Sequence, residues 1–200
     1  VGPDGQGQVL LEREYYSPGG GFFLWKDQPE ERRGEPAHRF AGMTELRRVA
    51  GATGKSIPQI MLENEMAVLG QDQAAVNAHL DLVLHTMVAG VDLGLKEEGL
   101  LPGPFPFYRK ARRVFEQARG LGPGDAFLQR VSSYALAVSE GNAAGRLAVS
   151  APTLGSAGTM PALVHLLLRE RKASQQAMRQ GLLAAGAVGL ICKTNASVAG

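Results

Sequence analysis

The sequence predicts a mainly α-helical fold, in which several helices are preceded by a short β hairpin or strand segment that comes from an α/β domain. Three observations support this prediction. Apolar residues recur at spacings of three and four over much of the chain after residue 43. Capping residues precede these periodic segments, and glycines follow several of them. Two apolar runs near the start flank a Ser-Pro-Gly-Gly-Gly turn, as in a hairpin.

The β segment is predicted from residues 8–16 (QVLLEREYY) and 22–25 (FFLW), which are joined by the turn at 17–21. The next segment, 26–42, is charged and contains several Pro and Gly residues. We therefore interpret it as a linker or surface loop, and as the best candidate for a domain boundary.

Two short helices are predicted directly after this segment. The first covers 44–52 and ends at Gly54. The second covers 56–69, because Ser56 and Gln59 have the spacing of a capping box.

A long third helix is predicted from the cap residue Asp72 to about Glu98. One of its faces carries residues at spacings of three and four, which is the pattern of a core-facing helix. These residues are Val76, Leu80, Val83, Met87, Val91 and Gly94.

Four further helices are predicted at 107–119, 125–140, 159–170 and 174–193. The residues that open the last three are Asp125, Thr159 with Pro161, and Ser174. The last helix contains interior glycines, each of which costs about 1 kcal/mol relative to alanine. We therefore expect another backbone to pack closely there, at Gly181, Gly186 and Gly189.

The composition limits the class of protein. Of 200 residues, 44% are hydrophobic and 20% are charged, which is typical of a globular domain. Lys and Arg number 21 and Asp and Glu number 19, so the net charge of +2 argues against nucleic acid or an anionic membrane as partner. No uninterrupted apolar run has the length of about 18 residues that a membrane span needs. The single cysteine favours a cytoplasmic location, and the ends of the chain suggest a segment of a longer protein.

The clearest candidate site is the small-residue loop APTLGSAG at 151–158, which leads directly into the helix at 159. Free amides and the positive end of a helix dipole favour a carboxylate or phosphate at such a position. From spacing alone, a tight turn without a ligand explains the loop equally simply and is the more common case.

Two weaker candidates are the polar end of the last helix, with Asn195 and Ser197, and the run Leu62-Glu63-Asn64-Glu65 inside an apolar helix. The alternative to a role in a site is that Asn195 and Ser197 only cap helix ends. Three adjacent polar residues cannot all face solvent on a helix, so one of the second group is a candidate inward-facing core or site residue. A solvated face with one capped member explains the run equally well. None of the four histidines has metal-ligand spacing, Cys192 is expected to be a buried thiol, and the basic run at 109–113 is expected to be solvated or ion-paired.

Seven runs, taken together and in order, make the chain similar to the bacterial iron–sulfur-dependent L-serine dehydratases, or L-serine ammonia-lyases. They are 15–22 (YYSPGGGF), 62–65 (LENE), 101–103 (LPG), 109–111 (RKA), 142–145 (NAAG), 151–158 (APTLGSAG) and 195–197 (NAS). The resemblance covers nearly the whole chain. It implies the end of an N-terminal β domain at 1–26, a linker at 27–42 and the first part of a helical catalytic α domain at 43–200.

The resemblance also implies a reaction and a cofactor. The reaction is α,β-elimination of water from L-serine to give pyruvate and ammonia, a step in amino-acid catabolism and gluconeogenesis. The cofactor is a [4Fe–4S] cluster held by three cysteines, with an open iron that acts as a Lewis acid on the substrate hydroxyl. The cluster cysteines are expected beyond Gly200, so the chain alone is expected to be inactive, and the complete protein is expected to form a homodimer.

The resemblance assigns substrate binding to the small-residue loop and to several polar side chains, while the general base stays unassigned. The proposed residues are Pro152, Thr153, Gly155, Ser156, Ala157, Gly158, Asn195, Ser197, Asn64 and Asn142. Leu154 and the Arg146-Leu147 pair depart from the family pattern. Two alternatives therefore stay open: a related lyase that acts on another small amino acid such as cysteine, and a cluster-free helical binding module.

Overall fold

The computed structural model describes residues 12–19, 22–27, 33–149 and 154–195. The predicted fold class is confirmed, because these residues form a two-stranded hairpin followed by helices. The strands are β1 (Tyr15–Gly19) and β2 (Phe22–Trp25). The helices are α1 (Met43–Thr53), α2 (Ile57–Leu69), α3 (Gln73–Gly94), α4 (Ala111–Gln117), α5 (Pro123–Ala143), α6 (Thr159–His165) and α7 (Gln175–Asn195).

The hairpin is antiparallel, with Tyr15 opposite Trp25 and Tyr16 opposite Leu24. The predicted strand boundaries are wrong, because β1 begins at Tyr15 and continues to Gly19 through residues assigned to the turn. A register shift between Tyr16 and Gly19 accommodates a proline, which has no N–H to donate to the partner strand. Residues 8–11 of the predicted strand lie outside the described residues.

The predicted caps of the first three helices are confirmed. Gly54 and Gly70 follow α1 and α2 in the left-handed region, with φ of 68° and 62°. Ser56 and Gln59 form the capping box at the start of α2. The Asp72 carboxylate accepts a hydrogen bond of 2.8 Å from the N–H of Ala75 at the start of α3.

Two predicted helix boundaries near the middle of the chain are wrong. α3 ends at Gly94, four residues before the predicted end. α4 begins at Ala111 instead of residue 107, because Tyr108 pairs with Leu100 in an antiparallel bridge and Arg109 donates to the carbonyl of Gly99. This pairing keeps residues 107–110 out of the helix.

The later boundaries also differ from the prediction. α5 starts at Pro123, two residues before the predicted cap Asp125, because proline fits the first turn of a helix. α6 ends at His165, and a π-helical turn (Leu166–Glu170) replaces its predicted second half. The predicted cap of α7 is confirmed, since the Ser174 hydroxyl accepts a hydrogen bond of 3.2 Å from the N–H of Ala177.

The helical body is built around α3, which packs against α2, α5, α6 and α7. Its three clusters of buried apolar residues lie between α1, α2 and α7, between α3, α6 and α7, and between α3, α5 and α6. The first cluster consists of Leu46, Ile60, Met61, Leu183 and Ala187. The second consists of Leu84, Met87, Val88, Val164 and Met178. The third consists of Val91, Tyr134, Val138 and Ala162.

By length and composition alone, α3 is apolar enough to cross a membrane, and it is the one described helix of which this is true. It touches four other helices, and its Asp81 and Asp92 carboxylates pair with Arg179 and Arg169.

The glycines that permit close backbone contact are not those expected in α7. A Cβ placed on Gly181, Gly186 or Gly189 would meet no atom within 4 Å among the described residues. Close contacts are made instead with the backbone of α5. A Cβ on Gly94 would overlap the Ala137 carbonyl, and a Cβ on Gly158 would overlap the Ala135 carbonyl.

Candidate functional site

The described part of the small-residue loop, residues 154–158, forms a compact turn at the start of α6. The N–H of Ala157 donates to the carbonyl of Leu154 at 3.1 Å, and the N–H of Thr159 donates to that of Ser156 at 3.0 Å. Gly155 and Ser156 are exposed, whereas Ala157 and Gly158 are buried. The turn therefore presents one small-residue edge to solvent and rests its other edge on α5. Pro152 and Thr153 lie outside the described residues.

Asn142 lies in the last turn of α5 and is half-buried. Its backbone carbonyl accepts a hydrogen bond of 3.0 Å from Gly145, which has a φ of 76° and so reverses the chain direction. Ala135, which supports the Gly158 turn, precedes Asn142 by seven residues on the same helix, a rise of about 10 Å. These two parts of the predicted site are therefore carried by one element.

The C-terminal end of α5 is also an anchor for α4. The Glu140 carboxylate is buried and accepts a hydrogen bond of 2.7 Å from the N–H of Lys110 and one of 3.4 Å from Ala111. A carboxylate is favourable at this position because the first amides of a helix lack partners within the helix. No sequence pattern singled out Glu140, since the two ends of the contact are 30 residues apart.

A nearly buried ion pair lies beside this anchor. Arg109 Nη1 is 3.0 Å from Glu97 Oε2, and only 8% of the Arg109 side chain is exposed. The two atoms are not aligned for a hydrogen bond, so the contact is mainly electrostatic. Glu97 also pairs with Arg146. The predicted role of the basic run, ion pairing, is confirmed, although Arg109 is less solvated than a surface charge.

A cleft of about 420 Å³ opens between α3, α5 and residues 146–147. Its walls are mostly apolar, with glycine backbone at Gly90, Gly94 and Gly141. Arg146 lines one side, and its aliphatic part lies over Gly141. The cleft thus adjoins the end of α5 that carries Asn142.

Asn64 is the inward-pointing member of the polar run on α2, which is one of the two possibilities that the sequence left open. It is 7% exposed, and its side-chain amide forms two hydrogen bonds with the backbone of His38. The neighbouring Glu63 carboxylate binds the His38 imidazole at 2.5 Å and the Lys55 ammonium at 2.6 Å. The hydrogen bond from Lys55, followed by that from His38, lowers the pKa of Glu63.

Asn195 lies at the end of α7, where its side-chain N–H₂ donates to the carbonyls of Ile191 and Ala41 at 2.8 Å and 3.2 Å. Ser197 lies outside the described residues. The described site residues therefore form two groups. Asn64 and Asn195 both contact the segment before α1, whereas Asn142 lies on α5 and the 154–158 turn packs against it.

A second polar network was not predicted and lies between α3, α5 and α6. His165 Nε2 is 3.0 Å from Asp92 Oδ1, and the Tyr134 hydroxyl donates a hydrogen bond of 2.6 Å to Glu170. Burial, and then the contact with Glu170, raise the pKa of Tyr134 well above its usual value. The π-helical turn aligns Glu170 with Tyr134, and no local sequence pattern predicts such a turn.

The described residues do not form a metal or cluster site. They contain no group of three His, Cys, Asp or Glu side chains placed to hold a metal ion. Cys192 is exposed, so the prediction of a buried thiol is wrong. The buried side of α7 carries Leu183 and Ala187, and Cys192 lies five residues beyond Ala187, on a different face.

Comparison with known proteins decides the family. The family model described as "Serine dehydratase alpha chain" matches residues 52–200, which is most of the helical body. The chain belongs to the serine dehydratase alpha chain family. The predicted resemblance is thereby confirmed.

Curated relatives of this member of the serine dehydratase alpha chain family are similar to it over almost the whole of its length. An L-serine dehydratase of Streptomyces coelicolor is 37% identical over 98% of the chain. One of Haemophilus influenzae is 35% identical and L-serine dehydratase TdcG of Escherichia coli 33% identical, each over 96% of the chain. The chain spans only 43–44% of the length of these relatives.

Proposed function

We propose that this chain is part of an L-serine ammonia-lyase, which converts L-serine to pyruvate and ammonia by α,β-elimination of water. The observation that carries the proposal is the family match over 52–200, together with relatives named L-serine dehydratase over 96–98% of the chain. We further propose that the complete protein is a cytoplasmic homodimer, with a β domain that ends near residue 26, a linker at 27–42 and a helical domain from residue 43.

In this proposal the backbone of residues 152–158 holds the substrate carboxylate. The exposed Gly155 and Ser156 edge of the turn, at the positive end of α6, supports this role. In the complete protein, Asn195 and Ser197 would supply polar groups to the substrate from the end of α7, although Asn195 belongs to the other group of described site residues. Asn142 is a further candidate because the turn packs against α5, which carries Asn142. The base that removes the α-proton is not assigned to any residue of this chain.

The described residues of this chain do not fit as ligands of a [4Fe–4S] cluster, because Cys192 is single and exposed. We propose that the complete protein binds the cluster through cysteines outside this chain. The contribution of this chain is then to bind and orient the substrate, and no step of the reaction is assigned to a cysteine here.

The test is pyruvate formation from L-serine by the complete protein, purified and reconstituted with iron and sulfide without oxygen. We expect turnover with L-serine and sharply reduced turnover for Asn195→Ala, while the folding of the variant stays unchanged. Asn77→Ala on α3 is the matched control and should keep full activity. If the reconstituted protein leaves L-serine unchanged, the proposal is wrong.

Leu154 favours a second candidate substrate. Its side chain is 46% exposed at the entrance to the turn, where it would offer an apolar contact to a substrate. A thiol is less polar than a hydroxyl, so L-cysteine is the alternative substrate, and a higher kcat/KM for L-cysteine than for L-serine would select it. A protein that binds no cluster and turns over neither amino acid would instead be a helical binding module.

A further inference from the structure

Residues 33–42, here named the strap, have no regular secondary structure but are held closely on the helical body. The N–H of Gly34 donates to the carbonyl of Val68 at 2.9 Å, and a Cβ on Gly34 would overlap the Ala67 carbonyl. Phe40 packs against the buried cluster between α1, α2 and α7. The strap is therefore anchored to the helical body at Gly34 and Phe40, although most of its residues are exposed.

Asn64 makes the most specific contact with the strap. Its side-chain oxygen accepts a hydrogen bond of 2.7 Å from the N–H of His38, and its N–H₂ group donates one of 2.8 Å to the His38 carbonyl. The amide thus binds one backbone unit in the way that a neighbouring β-strand would. The contact of Glu63 with the imidazole fixes the side chain of the same residue. Backbone and side chain of His38 are therefore both held by α2.

Three residues further along the strap, the carbonyl of Ala41 accepts a hydrogen bond from the Asn195 side chain. A groove between the strap, α2 and α7 is lined by His38, Asn64 and Leu190, so the strap also lies against the last part of α7. The strap consequently links Asn64 on α2 to the C-terminal end of α7.

We propose that Asn64 is a positioning residue that orients Asn195 through the strap. By holding His38, it fixes the place of the Ala41 carbonyl, which together with the Ile191 carbonyl of α7 sets the orientation of the Asn195 amide. This inference rests on the proposed function only because that function gives Asn195 a role in substrate binding. The hydrogen bond between Asn195 and the strap is observed independently of that role.

The burial of Asn64 supports an indirect role over contact with substrate. Its oxygen and its N–H₂ group are both bound to the strap, and the residue is 7% exposed. A substrate would have to displace His38 to reach these atoms.

Hydrogen–deuterium exchange of the complete protein tests the link without any assay of activity. In Asn64→Ala we expect peptides covering the strap to exchange about tenfold faster, because two hydrogen bonds to His38 are lost. Peptides covering 190–195 should also exchange several-fold faster, while those covering α5 and α6 stay unchanged. Asn77→Ala, which removes the same side chain from α3, should change neither region.

Two further variants separate the link from a general loss of stability. Asn64→Asp keeps an acceptor for the His38 N–H but sets a second acceptor oxygen against the His38 carbonyl, so it should accelerate both regions at least as much as Asn64→Ala. In a double-mutant cycle, the effects of Asn64→Ala and Asn195→Ala on exchange at 190–195 should be strongly non-additive. Additive effects, or faster exchange confined to the strap, would overturn the proposal.

In the complete protein, Asn64→Ala should lower kcat more than it raises KM, as expected for a residue that orients the site without touching substrate. A change in KM alone would contradict the positioning role. If the unaltered protein has no lyase activity, the proposed function fails, but the exchange experiment still decides whether Asn64 and Asn195 are linked.

Discussion

The packing of α3 on α5 makes Gly94→Ala the most informative single change to the fold. An added Cβ would lie 2.7 Å from the carbonyl carbon of Ala137 and 2.8 Å from its Cα. Ordinary van der Waals contacts between carbon atoms are about 3.5–4.0 Å. The two helices would therefore have to separate by about 1 Å, and neither neighbour is a flexible side chain that could move aside.

The cost of this separation is the loss of contacts in the cluster of Val91, Tyr134, Val138 and Ala162. Overpacking of a core typically costs about 1–3 kcal/mol. For a chain of this size a change of 1 kcal/mol shifts Tm by about 2–4 °C. We therefore expect Gly94→Ala to lower Tm by about 2–12 °C, measured by circular dichroism at 222 nm and by urea denaturation.

The matched control is the same substitution at helical glycines with open surroundings. An added Cβ at Gly51 in α1 or Gly186 in α7 meets no described atom within 4 Å. Alanine at these sites should stabilise the chain by up to about 1 kcal/mol, because it has the higher helix propensity. If Gly94→Ala behaves like these two variants, the close contact between α3 and α5 does not exist in solution.

Three shorter predictions follow from single contacts. Glu140→Ala should destabilise the chain by about 1–3 kcal/mol in urea denaturation, because it leaves the first amides of α4 without an acceptor, whereas the exposed Glu98→Ala should have little effect. Hydrogen bonds from Arg179 and then Gln175 lower the pKa of Asp81 to about 2, so this contact stabilises the chain above about pH 4. That stability is lost as the pH falls from about 4 to about 2, and an Arg179→Gln variant should show a weaker pH dependence over this range. Cys192 should react readily with a maleimide in the folded chain because its side chain is exposed, and strong protection would show that α7 is covered in solution.

Local sequence signals predicted most of the elements and caps. The capping box at Ser56, the cap at Asp72 and the glycine stops at Gly54 and Gly70 involve residues within a few positions of one another. Such signals depend on local backbone chemistry, and the structure confirms them. Where a tertiary contact decides the boundary, the prediction fails, as at the start of α4, where Glu140 supplies the cap from another helix.

The candidate site was predictable only in part, for the same reason. The polar run on α2 left open whether one of its residues faces inward, and Asn64 does so. Its partner His38 lies 26 residues earlier, in a segment whose composition is that of a loop. The prediction that another backbone packs closely on the interior glycines of α7 is wrong. Composition cannot tell which glycine faces a neighbouring backbone and which faces open space.

The glycines of the 154–158 turn have two separable roles. Gly158 lies against the backbone of Ala135, so Gly158→Ala should destabilise the fold and lower turnover together. Gly155 has no described atom within 4 Å of an added Cβ, so Gly155→Ala should leave the stability of the chain unchanged. If the turn holds the substrate carboxylate, Gly155→Ala in the complete protein should raise KM for L-serine, because a methyl group then occupies the exposed edge of the turn. If KM and kcat of this variant are unchanged, the turn does not hold the substrate carboxylate. Its role is then only to pack against α5, which already explains the glycine at position 158.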